Sequence, residues 1–288
     1  MIVSVALFFA LVAWTYLASC FVEDSFYNAY VNRLRSAMFR PVTAVQRAVP
    51  RLSERAAAAL VFALAVAVVA ALSRVGASSA VPGGAPAGAA FGGGLRVLPA
   101  RSGADAALAL AAGRFAILLG QLSLLRLLLV WRLGGGDGSG VLAFLDTAAW
   151  PLSLPRGLSQ AAAAACAALF GGTALCVFAF SPAAVAEAFS VLRLAAVAAA
   201  DAMLLLGNFL FAACVLSWIR LVPSVAAKRP WWREALDFAC DFSAEALSDF
   251  TRALVGPSPV ALGMVSFAPL VACFVLRFLH GVAVGLIL

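Results

Sequence analysis

Side chains able to do chemistry are sparse in this chain, and most of them sit inside long apolar runs. His280 is the only histidine. A haem or metal site there would need a second histidine or a cysteine pair nearby. The six cysteines, Cys20, Cys166, Cys176, Cys214, Cys240 and Cys273, form no CxxC. Most lie within apolar runs, where a thiol behaves as a small hydrophobe. A packing or hydrogen-bonding role for His280 is therefore favoured over haem ligation. Asp237, Asp241 and Glu245 recur every fourth residue, which on a helix lines three carboxylates along one face. Phe242, Leu247, Phe250 and Leu254 lie broadly opposite. That pattern predicts an amphipathic helix over 231–252 lying near the membrane surface. Its acidic face is either solvated or docks on a basic protein surface, such as segment 22–55 of this chain. No motif for nucleotide binding, hydrolysis or nucleophilic catalysis is present, so no catalytic residue, metal site or cofactor is assigned and the chain reads as non-enzymatic.

Charges within apolar runs are costly and therefore informative. Asp201 lies 17 residues before Trp218, Arg114 lies 17 before Trp131, and Arg277 lies eleven past Ser266. An ion path would align several acidic groups, and these do not. Structural pairing is the better reading, with Asp201 expected to meet Arg277 on the adjacent span. Two amides share a context: Gln121 in ILLGQLSLLRLLLVWRL and Asn208 in LLLGNFLFAACVLSWIRLVP. In both, Trp follows Gly by eleven residues (Gly120 to Trp131, Gly207 to Trp218). Trp131 and Trp218 are placed where the indole is favoured, at the membrane–water interface, with Arg132 and Arg220 reaching for headgroups. Gln121 and Asn208 then fall ~15 Å deeper by helix rise, where an amide acts as glue to a neighbouring helix. Gly281 and Gly285 form a GxxxG, a close-packing face between membrane helices.

The elements that must position these residues follow from composition. The chain is 65% hydrophobic and 11% charged, with a mean hydropathy of +1.04. Several runs exceed the ~18 apolar residues that mark a spanning helix. Six spans are expected, at about 1–21, 54–75, 105–131, 160–180, 195–219 and 266–288. The Gly/Pro/Ser/Ala stretch 76–104 reads as a flexible loop and 181–194 as a linker. Arg and Lys divide 13 to 4 between the segments 22–55, 131–158 and 220–256 and the opposite side. The positive-inside rule places those three segments on the cytoplasmic, stromal or matrix face and both termini away from it. The net charge of +7 thus reflects topology and attraction to lipid, not nucleic-acid binding.

The even number of spans allows three parallel hairpins, over 1–75, 105–180 and 195–288, each a span inward, an amphipathic segment and a span back. LSERAAAAL at 52–60 and LSQAAAAAC at 158–166 open two return spans alike, and their serines suit a helix N-terminus. LSW at 216–218, PVTAVQRAVP at 41–50 and SFAPLV at 266–271 together make the pattern resemble the YggT (YlmG) membrane family. The first unit lacks the LSW ending, the second has a shortened hairpin, and the third lacks a proline corresponding to Pro41. Family members usually carry one or two such units. The resemblance implies a small membrane protein linked in bacteria to envelope, division and osmotic-stress contexts, and in plastids to nucleoid distribution and cytochrome assembly. It carries over no catalytic residue.

The expectation is therefore an all-α integral membrane scaffold, assembly factor or accessory subunit of a larger membrane complex. Its partners would be membrane lipids and other membrane proteins, in a bacterial inner membrane or a plastid thylakoid or envelope membrane. The alternatives are a small transporter or channel, or a haem and cytochrome assembly factor. A transporter calls for broken helices and convergent mid-membrane polar groups, which beyond Asn208 and Gln121 are few.

Overall fold

A computed structural model describes residues 2–22, 27–78, 103–133, 140–154, 157–180, 188–220, 230–255, 261–262, 265–266 and 268–287. Among these residues the fold is all-helical apart from a two-residue antiparallel pairing, Ala261–Leu262 with Val265–Ser266. The helices are α1 (Ile2–Ser19), α2 (Ala29–Ala48), α3 (Glu54–Ser78), α4 (Ala104–Leu133), α5 (Gly140–Ala148), α6 (Leu158–Phe180), α7 (Ala188–Arg220), α8 (Pro230–Val255) and α9 (Ala268–Ile287).

Five of them, α3, α4, α6, α7 and α9, are long and apolar enough to cross a bilayer, an architecture compatible with an integral membrane protein. The first expected span, α1, is apolar over the shorter stretch Val5–Ser19. The segment expected as a linker at 181–194 is shorter than its sequence suggested, because α7 already begins at Ala188. Ala and Leu, abundant in these helices, lose little side-chain freedom in a helix, and the helical backbone satisfies its own hydrogen bonds.

The most extensive helix contacts join α4 to α6, α7 to α9 and α1 to α3. Helix α4 is central, touching α3, α5, α6, α7 and α8 as well. Half of its apolar window is buried, against 17% for α9 at the periphery. One apolar core joins α4, α5, α7, α8 and α9 through Leu125, Leu129, Leu145, Leu206, Leu210, Phe250 and Leu276. A second joins α1, α3 and α4 around Ala10, Val69, Phe115 and Leu119.

Two amphipathic helices are built by their own local signals. Asn28 caps α2, accepting from the backbone N–H groups of Tyr30 and Val31 at 2.9 and 3.0 Å, and α2 buries Val31 and Val42. Ser53 caps α3 by accepting from Ala56 N–H at 3.2 Å. In α6, which begins at Leu158, the corresponding Ser159 also stands at the N-terminus, inside the first turn. Helix α8 is longer than the predicted 231–252 by a few residues at its C-terminal end.

Candidate functional site

At one end of the bundle α2, α5 and α8 converge. The Glu245 carboxylate on α8 accepts from the Tyr30 hydroxyl through Oε2 and from Gly140 N–H, at the start of α5, through Oε1 at 2.7 Å. Asn28 Nδ2 donates to the Gly140 carbonyl at 2.6 Å. One glycine residue is thus gripped from both sides, by a carboxylate at its N–H and an amide at its C=O. The Tyr30 ring packs edge-on to Phe242 (5.0 Å) and Phe238 (5.8 Å), and the Arg33 guanidinium lies 5.7 Å from the Phe238 ring. Burial, then the hydrogen bond to and charge of Glu245, push the Tyr30 phenol above its ordinary value, with Asp241 adding to this and Arg33 opposing it. A cleft of about 480 Å³ opens here, lined by Tyr27, Asn28, Tyr30, Arg33, Asp241 and Glu245 among others.

The acidic row of α8 therefore meets segment 22–55 through Glu245 and an aromatic side chain, Tyr30. Asp237 and Asp241 are exposed. Tyrosine suits the contact with Glu245 because it offers an apolar ring and a hydroxyl at one tip.

Other side chains tie α5 and α8 to the bundle. Arg126 of α4 pairs with Asp146 of α5. Trp14 Nε1 of α1 donates to the Ala148 carbonyl at 3.1 Å. Arg132 Nε donates to the Ala253 carbonyl near the C-terminus of α8 at 2.7 Å. Arg132, expected to reach headgroups, is exposed and also places its cation at the negative end of that helix, a favourable position for it. Trp131 is 68% exposed at the end of α4. The backbone of Trp218 lies in the last turn of α7, and its side chain is outside the described residues.

Within the apolar windows the polar groups bond from helix to helix. Gln121 Nε2 of α4 donates to the Ala198 carbonyl of α7 at 2.9 Å. Asp201 does not meet Arg277. Its Oδ1 lies 2.8 Å from His280 Nε2, while Arg277 Nη2 donates to Asn208 Oδ1 at 2.9 Å. Register is the reason. Helices α7 and α9 run antiparallel, so Asn208 stands at the depth of Arg277, and Asp201 lies ~10 Å further along α7.

The glycines correct another expectation. A Cβ at Gly281 or Gly285 would meet nothing within 4 Å, so their GxxxG packs against no helix among the described residues. Close approach occurs between α4 and α6, where a Cβ on Gly172 would sit 2.7 Å from the Gly113 carbonyl oxygen, and one on Gly113 would sit 2.6 Å from that of Gly172.

Sequence reading missed Tyr30, Gly140, Arg126, Asp146, Gly113 and Gly172. Signals existed for some of them. Asn28 stands where an N-cap belongs, Gly140 ends the Gly-rich run before an apolar helix, and Arg126 is a charge inside a leucine run.

Among the described residues no group of three or more His, Cys, Asp or Glu could hold a metal ion. The class defined by fold and site is a helical membrane-type protein whose amphipathic helices lock together at one end. Compared with known protein families, curated proteins and solved structures, the chain matches none.

Proposed function

We propose that this chain is a non-enzymatic integral membrane scaffold or assembly factor, or an accessory subunit of a larger membrane complex. It would be built as three parallel hairpins, α1–α3, α4–α6 and α7–α9, making six spans of the kind the YggT-like motifs imply. The observation that carries this reading is the junction of α2, α5 and α8. One amphipathic helix from each hairpin contributes to it, through Tyr30, Gly140 and Glu245. It leaves exposed the acidic residues Asp237 and Asp241 and the basic residues Arg40, Arg47 and Arg51, a charged surface suited to protein partners and to headgroups. The pairing of Gln121, Asn208, Asp201, Arg277 and His280 across helices supports a structural use of the polar groups over a transport path. The proposed setting is a bacterial inner membrane or a plastid membrane, with the junction on the cytoplasmic or stromal face.

Purification from the native membrane in mild detergent, with a visible absorption spectrum, tests this. A scaffold or subunit co-purifies with other membrane proteins in fixed ratio and without a haem band. A monodisperse lone protein that moves a solute in proteoliposomes would replace this reading with the transporter, and a stoichiometric haem band would replace it with the haem-handling one.

A further inference from the structure

Arg277 stands near the middle of α9, ~10 Å along the axis from Leu270 and ~15 Å from Ile287, and it is exposed. Its contacts among the described residues are the Asn208 amide oxygen and the Phe211 ring, 6.0 Å from Cζ. Both are neutral. A guanidinium has five N–H donors, and no carboxylate of the described residues lies within ion-pair distance of it. The side chain could lean toward the helix N-terminus and the Arg-rich face, but the Asn208 bond holds it at depth. Around it α9 is the least buried of the five long apolar helices, with Phe274 and Phe278 69% and 70% exposed. Past them Gly281 and Gly285 leave open space where another backbone can approach.

We infer that α9 docks in the bilayer against a spanning helix of another protein, one carrying an Asp or Glu near mid-membrane that pairs with Arg277. Charge complementarity selects the occupant. An uncompensated cation facing lipid at this depth is costly, and a carboxylate on a neighbouring helix removes that cost. A second copy of this chain does not supply one. In the proposed spans its carboxylates are Glu54 and Asp105, at helix starts, and Asp201, 12% exposed and held by His280. The inference rests on the reading as a subunit of a membrane complex and names the chemistry of one partner.

The full-length protein is reconstituted in phosphatidylcholine vesicles with labelled leucine–alanine helical peptides bearing a single central Asp, Asn or Leu. Energy transfer measures association. The Asp peptide is expected to associate about tenfold more tightly than the Leu peptide. Arg277→Leu should erase that preference, and Arg277→Lys should keep most of it. Equal association of the Asp and Leu peptides with the wild-type protein would overturn the inference, as would an Asp preference that survives Arg277→Leu. Arg277-dependent self-association in the same vesicles would also overturn it, because a second copy would then be the occupant. These readouts are independent of the native purification, so an acidic-helix partner can fail while the membrane-complex reading stands.

Discussion

The proposed first and last hairpins, α1–α3 and α7–α9, place their polar contacts at different depths. Between α1, α2 and α3, Tyr16 donates to Glu54 at 2.8 Å, and Arg35 reaches both Glu54 and Ser19 at 3.2 Å. Glu54 opens α3, and its side chain is half exposed, so water competes for that carboxylate at the helix end, while Tyr16 and Ser19 are buried. Between α7 and α9, Asp201–His280 and Asn208–Arg277 lie inside the apolar windows. There a lost partner is not replaced by water, and each contact must be satisfied by protein. The same kinds of residue therefore serve as a surface clasp in one hairpin and as a register lock in the other.

The middle hairpin sets the scale for testing that contrast. Gly172→Leu forces a side chain against the Gly113 carbonyl, which is backbone and cannot turn aside. It should cost about 3 kcal/mol or more in reversible unfolding from detergent, while Gly281→Leu, facing open space, should leave the same measurement unchanged. Next comes His280→Leu, which strands Asp201 in an apolar setting. A loss on the order of 2 kcal/mol is expected for a buried acceptor left without its partner, and the double variant with Asp201→Leu should recover part of it. A double variant less stable than His280→Leu would show that the pair is not a lock.

At the junction, Glu245→Ala removes the acceptor of both Tyr30 and Gly140 N–H, with a loss of about 1.5 kcal/mol. The Tyr30 phenol also gives this contact a pH dependence. Its value is raised in the fold, so its contribution is full below the ordinary phenol value of about 10 and is lost as pH rises through the higher folded value. Wild type should lose more stability than Tyr30→Phe between neutral and strongly alkaline pH. Among the polar contacts the smallest effect is expected for Glu54→Gln in the first hairpin, about 0–1 kcal/mol. If Glu54→Gln proved as damaging as His280→Leu, the depth contrast between the hairpins would fail.

Much of this arrangement was legible in the sequence, because long apolar runs and caps are local signals. The long helices, the amphipathic α8 and the Ser53 cap follow from hydrophobic period and residue type. The partners of the polar groups were less legible, since they depend on how far one helix slides along another. Asp201 and Arg277 lie on adjacent helices as expected, yet the antiparallel register gives Asp201 to His280 and Arg277 to Asn208. Glycine spacing misled for a related reason: GxxxG at 281 and 285 is a pattern within one helix, whereas Gly113 and Gly172 pair only across two. Tyr30 carried no signal of its own, because only the fold brings residue 30 to residue 245.

The claim on which the rest depends is that α2, α5 and α8 share one face of the membrane. Single cysteines at Ser36, Ala143 and Ser248, exposed positions on those three helices, on a background freed of the native cysteines, can be probed with an impermeant thiol reagent in vesicles of known orientation. All three should react together, from the side that carries the Arg-rich segments, and stay protected from the other. Reaction of any one of them from the opposite side would contradict the three-hairpin arrangement and with it the junction as a shared docking surface.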